Sequence, residues 1–238
     1  MTKIAVILCY FGKLPENFPL FAESCRRNAT IDFLLFTDDT PTHLPENMHL
    51  HPTTFAALQR RVAGCFDFAI TLHTPYKLCD YKPAYGEIFA PELSGYDFWG
   101  YGDMDLVFGD LRAYFTEDKL QKYDKFYAFG HLSLYRNTPE NNAVYRQPVG
   151  MDYRKAFTSQ EKLPFLTKST ASAPSIRHWG CPFTTGRTMR TSPRPATDWQ
   201  SPMWGLRQII SCTPTIRSRF FTATAVGSFE TLTATASG

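Results

Sequence analysis

Two uninterrupted apolar runs, IAVILCY at 4–10 and IDFLLFTDD at 31–39, bracket the helically spaced segment PENFPLFAESCRRNA at 15–29. A strand that is apolar on both faces must be covered on both faces, which is the condition of a parallel sheet with helices on either side. Between the runs, Phe18, Phe21, Ala22 and Cys25 fall on one helical stripe behind a Pro–Glu start. The alternation then continues. MHLHP (48–52) predicts a short third strand, and TTFAALQRRVAGCF (53–66) a helix with a Thr cap and a stripe through Phe55, Leu58 and Val62. LCDYKPAYGEIFAPEL (78–93) predicts a helix broken at its front by Pro83, YDFWGYGD (96–103) a strand, LRAYFTEDKLQKY (111–123) a helix, and KFYAFGHLSLYRN (125–137) paired strands. Residues 1–165 therefore predict one α/β domain with a mainly parallel sheet flanked by helices. Ligands of such sheets bind at the carboxyl ends of the strands, and Asp38, Asp39, Asp103 and Asp105 all fall there.

The remaining third does not fit that pattern. Residues 166–238 hold 14 threonines and carry 8 Lys+Arg against 2 Asp+Glu, a net of +6, whereas residues 1–165 carry 17 against 20, a net of −3. The tail's arginines are scattered among Thr, Ser and Pro without a cluster or an amphipathic period, so its charge does not describe a nucleic-acid surface. Its composition predicts low order, yet Trp179, Trp199, Trp204, Phe220 and Phe221 are unusual in a disordered linker. A shifted reading frame accounts for both. If each new codon starts at the third base of the old one, KSTASAPSIRHWGCPFTTGRTMR can become IHGIGAIYKALGVPFYDGPYYA, which has ordinary composition and a helix-then-strand pattern. LPFLTK likewise permits FFDE, and SRFFTAT permits QVFHCY. The expectation is a frameshift near residues 161–165.

Six widely spaced cysteines without a CxxC pair argue against a disulfide framework or a zinc cluster, and the default compartment is a reducing cytoplasm. No apolar run approaches the roughly 20 residues of a membrane helix. MTKIAVILCYFG reads as a first strand and not as a signal peptide. No GxxxxGK[ST] or GxGxxG occurs, which removes support for P-loop and dinucleotide readings.

Three constellations carry chemistry. In FWGYGDMDLVFGDL (98–111), Asp103 and Asp105 are two residues apart, so an extended chain turns both carboxylates to one side. Such a pair at a strand end is half a site for a hard divalent cation, which favours oxygen ligands and bridges to phosphate. The structural alternative is a solvated turn with Asp110 capping the next helix. Lys77, Asp80 and Lys82, interleaved with Tyr76, Tyr81 and Tyr85, could hold a diphosphate and a nucleoside, or could be an ordinary charged helix start. Asp38 and Asp39 could accept from a ribose hydroxyl or base N–H, or form a turn before Thr40–Pro41. Tyr10 to Gly12 could line a base pocket, His131 reads as a structural histidine ahead of an acceptor contact, and Asp152 as a helix-start aspartate. Cys9 and Cys79 read as buried small residues.

CYFGKLPENFPLFAESCRRN, IDFLLFTDD, YKLCDYKPAYGEIF and WGYGDMDLVFGDL, in that order, resemble a family of small bacterial glycosyltransferases with the GT-A nucleotide-diphospho-sugar transferase fold, linked to capsular or lipopolysaccharide assembly. The resemblance covers roughly residues 3–160. It implies a Rossmann-like domain using a nucleotide sugar, often a UDP-sugar, with Mn²⁺ or Mg²⁺, and a glycan or lipid-linked glycan acceptor. It gives Asp103 and Asp105 to the metal, and Asp38, Asp39, Lys77, Asp80, Lys82 and Asp103 to the donor, whose base Tyr10 could border as read above. It leaves open a peripheral association with the inner face of the cell membrane. Beyond residue 160 the chain departs from the family, which completes its metal site with a late histidine; the shifted-frame FFDE and HCY match those pieces. The expectation is a damaged enzyme with weak or no transfer. A non-catalytic sugar- or nucleotide-binding remnant and a DxD phosphotransferase are the alternatives.

Overall fold

The computed structural model describes residues 1–127, 131–148 and 152–161, and the backbone of 178–179. The tail at 166–238, the proposed frame junction beyond residue 161 and the shifted-frame strings lie outside the described residues, those two backbone positions excepted. The order of elements is β1 (Ile4–Tyr10), α1 (Phe18–Arg26), β2 (Ile31–Thr37), β3 (Met48–Pro52), α2 (Phe55–Gly64), α3 (Leu78–Tyr81), α4 (Tyr85–Ile88), β4 (Phe98–Gly102), α5 (Glu117–Lys122), β5 (Lys125–Phe126), β6 (Leu132–Arg136), α6 (Pro139–Asn142), α7 (Tyr153–Thr158) and β7 (His178–Trp179). No described helix is long and apolar enough to cross a membrane.

The fold is mixed α/β around one sheet of order β3-β2-β1-β4-β6-β5-β7. Strands β3, β2, β1 and β4 run parallel, with Ile4 opposite Ile31 on one side and Phe98 on the other. The expectation of a mainly parallel sheet holds for that half. It needs correcting for the other, where β6 runs antiparallel to both β4 and β5. β5 and β6 are joined by the short stretch from Phe126 to Leu132, and only an antiparallel return is that short; α5 lies in the longer connection from β4 to β5.

Strand β1 shows why apolar runs were required. Ile4, Val6 and Leu8 pack with Phe18, Phe21, Ala22 and Cys25 of α1 and with Phe33 and Leu35 of β2. Ala5 and Ile7 face the other way, onto Leu58 and Val62 of α2, Tyr81, Tyr85, Phe89 and Phe157. Burying each large side chain contributes roughly 1.5–3 kcal/mol. Thr54 caps α2 by accepting from Ala57 N–H, and Asp152 caps α7 by accepting from Arg154 N–H.

Two predicted helices are shorter than their patterns. Over 75–88 the chain makes four short turns, two of them 3-10, because Pro75 and Pro83 lack the N–H that a continuous helix requires. Over 111–123 only Glu117–Lys122 is helical. The preceding turn is held by Asp110, whose carboxylate accepts from Ala113 N–H. Asn28, at the end of α1, donates to Ser24 O and Gly109 O and accepts from Leu111 N–H, so it ties this loop to the helix behind it.

Candidate functional site

Strand β1 lies between β2 and β4, so the chain departs from β1 to one side and returns on the other. Open α/β sheets bind ligands at such a divergence, outside the strand carboxyl ends. Here those ends deliver Tyr10 and Phe11 from β1 and Asp103 from β4. A surface pocket lined by Arg26, Asp32, Leu44 and Glu46 lies elsewhere, at the amino end of β2.

Past β4 the burial alternates. Met104, Leu106 and Phe108 are buried beneath the sheet's α1 side, whereas Asp105 and Val107 are exposed and Asp103 is half-buried. Asp103 makes three contacts with two residues. Its N–H donates to His131 O at 3.0 Å, continuing the β4–β6 ladder by one residue. Lys82 Nζ donates to Oδ1, and His131 Nδ1 stands 3.4 Å from Oδ2. Lys82 is itself buried, with its ammonium 5.5 Å from the centre of the Tyr101 ring.

Burial would push the Asp103 carboxyl up, but the hydrogen bond from His131 and the charge and hydrogen bond of Lys82 outweigh it and hold the group below the usual carboxylate range. The bond to Asp103 raises His131; partial burial opposes this, and the charges of Asp103 and Asp105 add to it. Burial pushes the Cys9 thiol up to about 12, which fits a small core residue and not a nucleophile.

The other predicted residues are occupied in different ways. Asp38 is exposed and accepts from Gly12 N–H at 2.7 Å. Asp39 accepts from Leu14 and Thr40 N–H, both at 2.8 Å, and these bonds hold its carboxyl below the ordinary value. The two carboxylates thus fold the loop after β1 back over the end of β2. Gly12 serves that turn with φ +95, a backbone conformation side chains disfavour. Tyr10 is half-buried against the α1-side core. Lys77 and Asp80 are 4% and 2% exposed and pair at 2.8 Å. Lys77 also donates to Ala156 O at 3.1 Å and to Glu161 O at 2.5 Å, so a ligand reaching its ammonium would have to displace backbone carbonyls. Lys82, and not Lys77, is the lysine of that segment that meets Asp103.

Asp103 and Asp105 are carboxylates, the oxygen ligands that a hard divalent cation prefers, and His131 adjoins Asp103. Among the described residues no group of three or more His, Cys, Asp and Glu stands arranged to hold a metal ion.

A family model described as "Family of unknown function (DUF6625)" matches residues 6–173. No curated protein matches the chain. Among solved structures, the glycosyltransferase GlyE of Streptococcus pneumoniae TIGR4 is similar at 16% identity and a TM-score of 0.41, over 76% of this chain and 46% of that one. Its apo form gives 16% identity and a TM-score of 0.36, over 62% and 37%. The chain thus spans less than half the length of the structures it matches, and scores at this level carry no argument about function.

Proposed function

The chain belongs to the DUF6625 family, whose function is unknown, and we propose that it derives from a metal-dependent glycosyltransferase of the GT-A kind. It takes a nucleotide-sugar donor, a UDP-sugar in the first instance, and a glycan or lipid-linked glycan acceptor. The single observation behind this reading is the cluster of Asp103, Asp105, Lys82 and His131 at the divergence of β1 and β4. Two carboxylates, a buried ammonium and an imidazole in one place suit a diphosphate bridged to a cation.

In this reading Asp103 and Asp105 hold Mn²⁺ or Mg²⁺, which when bound offsets charge on the departing nucleoside diphosphate. Lys82 supports the diphosphate, and Tyr10, with the loop fixed by Asp38 and Asp39, borders the nucleoside. Lys77 and Asp80 serve the donor indirectly, by anchoring the turn that carries Lys82. In transfer, an acceptor hydroxyl oxygen bonds to the anomeric carbon as that carbon's bond to the diphosphate oxygen breaks, and the hydroxyl proton passes to solvent or to the departing nucleoside diphosphate. The proposal places the protein in the cytoplasm, at the inner face of the membrane when its acceptor is lipid-linked, with no nucleic-acid partner.

Residues 1–165 form the donor domain in this account, and residues 166–238 are the product of a shifted frame that removes the acceptor side and the late metal ligand. Donor binding then survives while transfer is weak or lost. A second reading, a nucleotide-binding remnant, draws support from Asp103, both of whose carboxylate oxygens already face protein partners. A DxD phosphotransferase has less support, since its aspartates belong on the first strand and this pair follows β4. Thermal denaturation tests the proposal. UDP with Mn²⁺ is expected to raise Tm by several degrees, and Asp105→Ala to abolish the metal-dependent part. No shift with the unaltered chain would sink donor binding, a shift that survives Asp105→Ala would sink the metal assignment, and a shift without turnover favours the remnant.

A further inference from the structure

We infer that α7 is a strap on the candidate site: its docking against residues 71–81 and the placement of Lys82 against Asp103 stand or fall together. Neither piece is self-sufficient. At six residues, α7 is far below the roughly 12–15 at which an isolated helix becomes marginal in water. The turns over 75–84 are interrupted by Pro75 and Pro83 and do not merge into one helix. Each supplies what the other lacks. Carbonyls of a helix's last turn have no donor within the helix, and those of Ala156, Phe157 and Thr158 are met from 71–81. Lys77 Nζ donates to Ala156 O at 3.1 Å, and Thr71 Oγ1 to Thr158 O at 3.1 Å. Phe157 O accepts from Thr71 N–H at 2.6 Å and from the Tyr81 hydroxyl at 3.1 Å. The Tyr81 ring also stacks on that of Phe157, with 4.3 Å between centres and 20° between planes.

The clasp ends one residue from the site. Lys82 follows Tyr81 directly, and its Nζ is hydrogen-bonded to Asp103 Oδ1. Asp80, just before Tyr81, pairs with Lys77. When α7 lifts, Lys77 and Tyr81 lose their carbonyl partners, and the proline-broken turn that aims Lys82 slackens with them. Among the described residues β1, β2 and β4 share no hydrogen bond with α7, so they stay closed through such an opening. The site then has a closed form, with Lys82 on Asp103, and an open one. This coupling is independent of the donor and cation assigned above.

Hydrogen exchange of the full chain without ligand, followed by mass spectrometry, gives the first test. Peptides over 75–82 and 153–158 are expected to share one opening, easier than that of β1 and β4. Protection that differs more than about tenfold between the two segments, or that equals that of the strands, would overturn the strap. Tyr81→Phe then tests the link to the site, because it keeps the ring stack and removes the hydroxyl. Protection should fall about twofold to tenfold in both segments, the range for one hydrogen bond, and stay unchanged in β1 and β4. The ¹⁵N resonance of Lys82 Nζ should move toward those of exposed lysines. A looser α7 with an unmoved Lys82 resonance refutes the coupling, as do unchanged exchange in both segments and a uniform loss across the sheet. Should Tyr81→Phe fail to fold, Thr71→Val decides by the same readings, since it removes the hydroxyl bond to Thr158 O and keeps the N–H bond to Phe157 O.

Discussion

Lys77→Met is expected to destabilise the protein by about 3–5 kcal/mol, the usual loss when one partner of a buried ion pair is removed. The side chains of Lys77 and Asp80 are 5% and 2% exposed, so the variant removes the ammonium paired with a buried carboxylate. It also removes the donor from Ala156 O and Glu161 O, which fastens α7 and the chain after it beneath the turn at 75–77. Lys77→Met/Asp80→Leu should recover much of the loss, because an apolar pair of similar volume carries no stranded charge. Urea denaturation of the three chains reads this directly. A single-variant loss below about 1 kcal/mol, the range of exposed pairs, would show that the pair is not buried as described.

Trp99→Ala is expected to cost about 3–5 kcal/mol, as for other large-to-small core substitutions. Trp99 is fully buried in β4 and stacks on Tyr135 of β6 at 4.7 Å between ring centres. Its Nε1–H donates to Asn142 Oδ1 at 2.6 Å, a partner the variant leaves unsatisfied. Behind it α4 approaches so closely that a Cβ on Gly86 would come within 2.7 Å of the indole. The residue thus joins β4, β6 and α4, and β4 carries Asp103. Trp99→Phe, which keeps the stack but not the donor, should lose less than half as much. Equal losses from the two variants in guanidinium denaturation would show that the hydrogen bond, and not the packing, is the main contribution.

Where structure is dictated locally, the sequence described it well. The apolar runs at 4–10 and 31–39 became β1 and, as far as Thr37, β2, because a strand covered on both faces has few other solutions. Thr54 announced α2 because its hydroxyl can satisfy a free helix N–H only there. Of the candidate site, the sequence offered only what is local: Asp103 and Asp105 are two residues apart. Its other members come from pairings that no periodicity encodes. His131 reaches Asp103 because β6 runs antiparallel to β4, which sets Leu132 opposite Gly102 and His131 one step beyond. Lys82 arrives from 21 residues upstream, aimed by a pair of short turns and by the buried Lys77–Asp80 pair behind it. Asp38 and Asp39 stood at the expected strand end, but their backbone partners lie on the loop after β1, about 25 residues earlier. Long-range closure of this kind is fixed by tertiary packing, and a local pattern carries no record of it.

Isothermal titration of the full chain with UDP, at saturating Mn²⁺ and again with the metal chelated, tests the central claim most directly. Saturable binding with Mn²⁺ that disappears on chelation, and disappears equally in Asp103→Asn with Mn²⁺ present, is the predicted result. UDP binding of the same affinity with and without the metal, or none under either condition, would contradict the assignment of the Asp103 cluster to a cation-bound diphosphate.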